Sequence, residues 1–160
     1  MPHRVIPIDK YVPGDGAVGA VHPPGKLFTG SFFGRHAWSN SHIVLTGPKP
    51  LDLEAEPILP EKWLHALSLA TVGDNPKEQA TPICVHNAYV WFAEGCVIAV
   101  AYYDAAVTRW PNCTFHWDGK TAGVWIRHQG QPAGIIMRIR IKDDDWPGCV
   151  KALLPAKGPA

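Results

Sequence analysis

Sixteen prolines and fifteen glycines are scattered through a chain of 160 residues, mostly between short apolar runs. Proline fixes φ and removes a backbone donor, and glycine admits conformations that other residues avoid, so this punctuation disfavours long helices. The expected architecture is therefore many short strands joined by turns. Helix is expected in two places. Pro60 to Val72 carries Trp63, Leu64, Leu67 and Ala70 on one stripe, with Pro60 suited to the first turn and Gly73 to the residue past the end. Ala101 to Trp110 places Tyr103, Val107 and Trp110 on one face before Pro111 stops it.

Between these helices the chain reads as strands. Arg4 to Ile8 suits an edge strand inside a Pro- and Gly-rich arm, and Leu27 to Phe33 pairs with Ala37 to Leu45 through Gly34-Arg35-His36. Leu51 to Leu59 reads as a loop. Ile83 to Phe92 and Cys96 to Val100 turn at Glu94-Gly95, and Cys113 to Trp117 meets Gly123 to His128 through Asp118-Gly119. After Gly130, Ile135, Met137, Ile139 and Ile141 alternate with Ile136, Arg138, Arg140 and Lys142, the pattern of a half-buried strand. The fold class expected is α+β, a strand-rich single domain with at least six strands. Residues 1–26 form an extended arm, 27–142 the domain, and 143–160 a C-terminal turn and tail that frays at its end.

Charge excludes one large class of function. Charged residues make up 18% of the chain and the net charge is +1, which argues against a generic polyanion binder. No basic leader followed by an apolar stretch opens the sequence, and no apolar run approaches the roughly 18 residues of a membrane span. A cytoplasmic protein with no membrane contact is expected. Its cysteines Cys84, Cys96, Cys113 and Cys149 are then expected as reduced thiols, several of them buried.

Several stretches carry a resemblance. Tyr102-Tyr103-Asp104-Ala105 opens a helix that two hairpin strands follow, and the run closes in Gly134-Ile135-Ile136-Met137-Arg138-Ile139-Arg140-Ile141. Earlier, Ala37-Trp38-Ser39-Asn40-Ser41-His42-Ile43-Val44-Leu45 forms a strand segment, and Leu59-Pro60 precedes the Trp63 helix. Together these resemble one domain of the bacterial sliding clamp, the β subunit of the replicative DNA polymerase. Asn40-Ser41 stands where that family has Asp-Gly, and the proline of its Met-Pro strand is missing. The resemblance implies one clamp-like domain built from two helix-plus-sheet halves, Leu27 to about Asp74 and about Thr81 to Ile141. The helices at Trp63 and Tyr103 would lie side by side. It also implies DNA as a partner and, because a ring needs several such domains, a homo-oligomer. A ring lining holds DNA through Lys and Arg without base readout. The two helices offer Lys62, His65 and Arg109, and further cations stand at Arg127, Arg138, Arg140 and Lys142. Arg138, Arg140 and Lys142 are expected as an exposed stripe on one strand face.

Other constellations compete. Cys84, His86, Cys113 and His116 are the ligand types of a zinc site. Cys84 and His86 share a strand face, but Cys113 and His116 do not, and buried thiols with surface imidazoles are the plainer account. No cofactor or metal is therefore expected. A nucleophilic Cys–His pair lacks a cysteine at any expected helix start. Asp143-Asp144-Asp145 reads as a charged strand exit rather than a magnesium site. Trp38, Trp91, Trp110, Trp117 and Trp125 read as core before they read as base-stacking platforms. No phosphate loop or catalytic motif is present. The expected function is a non-enzymatic clamp-like protein of a DNA transaction, acting through protein contacts and weak DNA binding. The alternatives are a small phage or mobile-element inhibitor of a host protein, and a zinc- or thiol-dependent enzyme.

Overall fold

The computed structural model describes residues 4–13, 28–32, 34–39, 42–47, 56–57, 78–119 and 123–154. The expected helix at Pro60 to Val72, with Lys62 and His65, lies outside them. Strand dominates what is described, in two sheets.

The smaller sheet has the order β1 (Ile6–Pro7), β7 (Pro82–His86), β8 (Tyr89–Phe92), β9 (Val97–Ala99), all antiparallel. The single strand expected from Ile83 to Phe92 is thus two, folded back at Asn87 and Ala88. Both residues adopt φ of 55° and 65°, the left-handed geometry of a tight hairpin turn. Nothing in an Asn-Ala pair demands that geometry as Asn-Gly would. Gly95, at φ 106°, turns β8 into β9, near where the sequence suggests.

Helix α1 (Val100–Arg109) follows β9 directly, and its Val100 N–H donates to Ala88 O at 2.9 Å, tying the helix start to the hairpin turn. Pro111 cannot continue the hydrogen-bond ladder, and Asn112 at φ 64° takes the chain away. Tyr103, Ala105, Ala106 and Trp110 are buried, with Val107 packed beside them.

The larger sheet runs β5 (Glu56–Pro57), β2 (Phe28–Phe32), β3 (Arg35–Ser39), β4 (Ile43–Gly47), β12 (Gln131–Met137), β11 (Gly123–His128), β10 (Thr114–His116), β6 (Gln79–Ala80). Ala37 to Leu45 is therefore not one strand. The chain reverses, and Ser39 pairs with Val44. The expected loop contributes β5, parallel to β2. The β11–β12 hairpin turns at Gln129 and Gly130, both at positive φ.

The alternation read from Ile135 to Lys142 is corrected. β12 lies between β4 and β11, and Ile135 and Ile136 are both buried, on opposite faces and in different clusters. The strand ends at Met137 because the chain leaves for the other sheet, where Ile139 N–H donates to Val97 O at 2.7 Å. The main core lies between the sheets, with Leu45, Ile126 and Ile136 meeting Val90, Phe92, Ile98 and the inner face of α1.

Both ends of the described chain pack down. Ile8 and Tyr11 pack against the main core, so the described part of the expected arm, residues 4–13, is docked. The C-terminal turn and tail become a short 3-10 turn (Asp143–Asp145) and helix α2 (Gly148–Lys151). Trp146 and Val150 bury themselves on Cys84, Trp91 and Val97, covering the outer face of the smaller sheet. No described helix is long and apolar enough to cross a membrane.

Candidate functional site

Lys62 lies outside the described residues, and the other expected cations differ in exposure. Arg109 is half-buried at the end of α1, its Nε donates to Thr46 O at 3.0 Å, and its guanidinium lies 5.7 Å from the Trp110 ring centroid. Burial, and then the charge of Arg35, lowers its pKa. Arg127 is half-buried on β11, opposite Thr114 and Pro132.

The stripe of Arg138, Arg140 and Lys142 is likewise corrected. Arg138 is half-buried, with its guanidinium 5.4 Å from the centroid of the Trp117 ring, and of the three only Arg140 and Lys142 are exposed. The reason is the early end of β12. Past Met137 no ladder holds the three side chains in register.

The Trp38 side chain lies outside the described residues; among those described, the tryptophans serve packing, with Trp91, Trp110, Trp117, Trp125 and Trp146 all buried. Trp91 Nε1 donates to His86 O at 3.0 Å, which satisfies its polar handle inside the protein.

The zinc candidates separate. Cys84 and His86 lie on β7 of the smaller sheet, whereas Cys113 precedes β10 of the larger sheet and His116 ends it. His116 Nε2 stands 2.8 Å from Thr114 Oγ1. Among the described residues no group of three or more His, Cys, Asp or Glu could hold a metal ion.

A different pairing appears instead. The exposed Cys149, in the first turn of α2, brings its Sγ to 3.9 Å from His86 Nε2. Gly148 to Lys151 is too short to show helical periodicity, so the sequence alone signals no cysteine at a helix start there. Pro147 was its one local signal. Cys84 sits behind this pair, and burial, then Cys149, pushes its thiol up to about 11. All four cysteines are free thiols.

No protein-family model, curated protein or solved structure matches the chain.

Proposed function

We propose that the chain is a non-enzymatic, clamp-like protein of DNA replication or another DNA transaction, acting mainly through protein contacts with accessory, weak DNA binding. The supporting observation is the run from Val97 to Met137. Strand β9 leads into α1, then β10, β11 and β12 follow as successive antiparallel strands, closing in Gly134-Ile135-Ile136-Met137. A helix followed by strands that end in such a segment is the order the clamp resemblance implies.

Protein contacts take the larger share because α1 is a poor surface for DNA. Thr108 is its one exposed residue, and Arg109 is held by Thr46. Arg140 and Lys142 are the DNA contacts in this reading, exposed on the segment after β12. Backbone contacts of this kind weaken steeply with salt. A ring would require several copies, joined through strand edges.

Fluorescence anisotropy with a short duplex at rising salt, together with sedimentation, tests the reading. Salt-sensitive binding, weakened in an Arg140→Ala/Lys142→Ala variant, and a closed oligomer are expected. A monomer that ignores DNA at low salt would replace it with the inhibitor-type protein that touches no nucleic acid.

A second reading, a thiol-dependent enzyme, is favoured by one observation, the 3.9 Å contact between Cys149 Sγ and His86 Nε2. An imidazole at that distance is placed to take a thiol proton. If it does, His86→Gln slows alkylation of Cys149 in the folded protein. An unchanged rate removes the reading.

A further inference from the structure

The start of β3, the end of α1 and the β11–β12 turn meet at one end of the larger sheet. They surround a cavity of about 450 Å3, within the range of small-molecule sites, lined by Arg35, Trp110, His128, Gln129, Gln131 and Pro132. Its wall carries one guanidinium, one imidazole and two amides, and none of these lining residues is acidic. Arg109 adjoins it, fixed against Trp110 and bonded to Thr46. The two guanidinium groups are close enough for Arg35 to help lower the pKa of Arg109. Holding like charges together in a partly buried place costs free energy, and a bound anion offsets that cost.

The turn geometry points the same way. Gln129 takes φ of 55°, a conformation that glycine or asparagine adopts more readily, directly before Gly130 at φ 76°. A glutamine in this position sets a side-chain amide at the rim. Across the hairpin, His128 pairs with Gln131, so a ring nitrogen and a second amide stand beside it.

We propose that this cavity binds a phosphate monoester. Such a group carries nearly two negative charges and three terminal oxygens. The Arg35 fork, His128 and the amides of Gln129 and Gln131 supply more donors than the two oxygens of a carboxylate would use. The cavity exceeds the phosphate itself, so an organic remainder fits against Pro132 and Trp110. A small nucleotide or sugar phosphate and the phosphorylated end of a DNA strand present the same group. The inference does not rest on the clamp reading, since Arg140 and Lys142 are not among the lining residues.

Calorimetric titration of the full chain tests it. The probes are inorganic phosphate, a nucleoside monophosphate, a sugar phosphate, and a short single-stranded DNA with and without a terminal phosphate. Saturable binding of at least one monoester is expected. Arg35→Glu should weaken it by about tenfold or more, as the loss of a charge-assisted contact implies. Arg35 is exposed, so this variant and the milder Arg35→Gln retain the fold, which circular dichroism verifies. Arg140→Ala/Lys142→Ala should bind the monoester as the parent does. Preference for the phosphorylated strand over its unphosphorylated twin assigns the site to DNA ends, and preference for the free monoesters assigns it to small molecules. No saturable binding by any probe, or unchanged affinity in both Arg35 variants, would overturn the proposal.

Discussion

Tyr11 donates its hydroxyl proton to the carboxylate of Asp104, with Oη 2.7 Å from one oxygen and 2.8 Å from the other, across 93 positions of sequence. Asp104 is buried on α1, and the Tyr11 ring lies 6.3 Å from that of Tyr103. This contact anchors the N-terminal segment to the helix, after β1 has added it to the smaller sheet. Burial, then the bond to Asp104, raises the pKa of the Tyr11 phenol. Tyr11→Phe keeps the ring and removes a donor from a buried carboxylate. Chemical unfolding should show a loss of about 1–3 kcal/mol. A change within error would mean that the arm contributes nothing to the fold through this bond.

Gly134 should tolerate no side chain. A Cβ built there lands on the carbonyl oxygen of Val44 in the neighbouring strand and comes to 3.3 Å from the Trp110 ring. Neither the backbone of β4 nor a buried indole has room to yield, so Gly134→Ala should cost about 2–4 kcal/mol or abolish folding. Thermal melts of the variant check this, with Gly148→Ala, which meets nothing nearby, as the control.

Alkaline pH should destabilise the protein. Burial pushes the thiol of Cys96 up to about 12 and that of Cys113 up to about 11, and Cys84 likewise stands at about 11. Burial also raises Tyr103 to about 12. The unfolded chain loses the thiol protons near pH 9 and the folded chain only at 11 to 12, so the folded state binds more protons in that window. Stability is therefore fully present below about pH 9 and falls as pH rises through the folded values. A melting temperature lower by about 5 °C or more at pH 10.5 than at pH 8 is expected. Equal values would show that these thiols are not buried as described.

Alkylation should follow burial. Cys149 is exposed, Cys113 half-buried, and Cys84 and Cys96 are buried. Mass spectrometry after brief native treatment with iodoacetamide should find Cys149 modified first and Cys84 and Cys96 last. Early modification of Cys84 would contradict the docking of α2 over it.

Arg138 should prove structural where Arg140 is not. Its guanidinium rests over Trp117, so Arg138→Ala should cost about 0.5–1 kcal/mol, whereas Arg140→Ala should leave stability within error. Denaturant titration of the two variants separates them. Equal costs would mean that the ring contact is idle.

Much of the local structure was legible. The expected helix from Ala101 to Trp110 differs from α1 by one residue at each end, because its stripe and Pro111 are both local signals. Gly95, Gly119 and Gly130 all take positive φ at or beside the turns read for them, since glycine reports what its own backbone must do. The Asn87-Ala88 reversal was not legible, because its left-handed residues are held by the pairing of β7 with β8 and by Val100 N–H on Ala88 O.

By itself, then, the sequence determined the strand-rich class, the position of α1 and most of its turns, each set by conformational preferences a few residues long. The tertiary structure alone decided that Ile135 and Ile136 are both buried, that β12 stops where Ile139 N–H meets Val97 O, and that Arg138 lies over Trp117. It also decided that Cys149 meets His86, and that Arg35 and His128 share one cavity. These relationships join residues far apart in the chain. They depend on which strands become neighbours in a sheet and how two sheets close on a common core, and no local pattern encodes that choice.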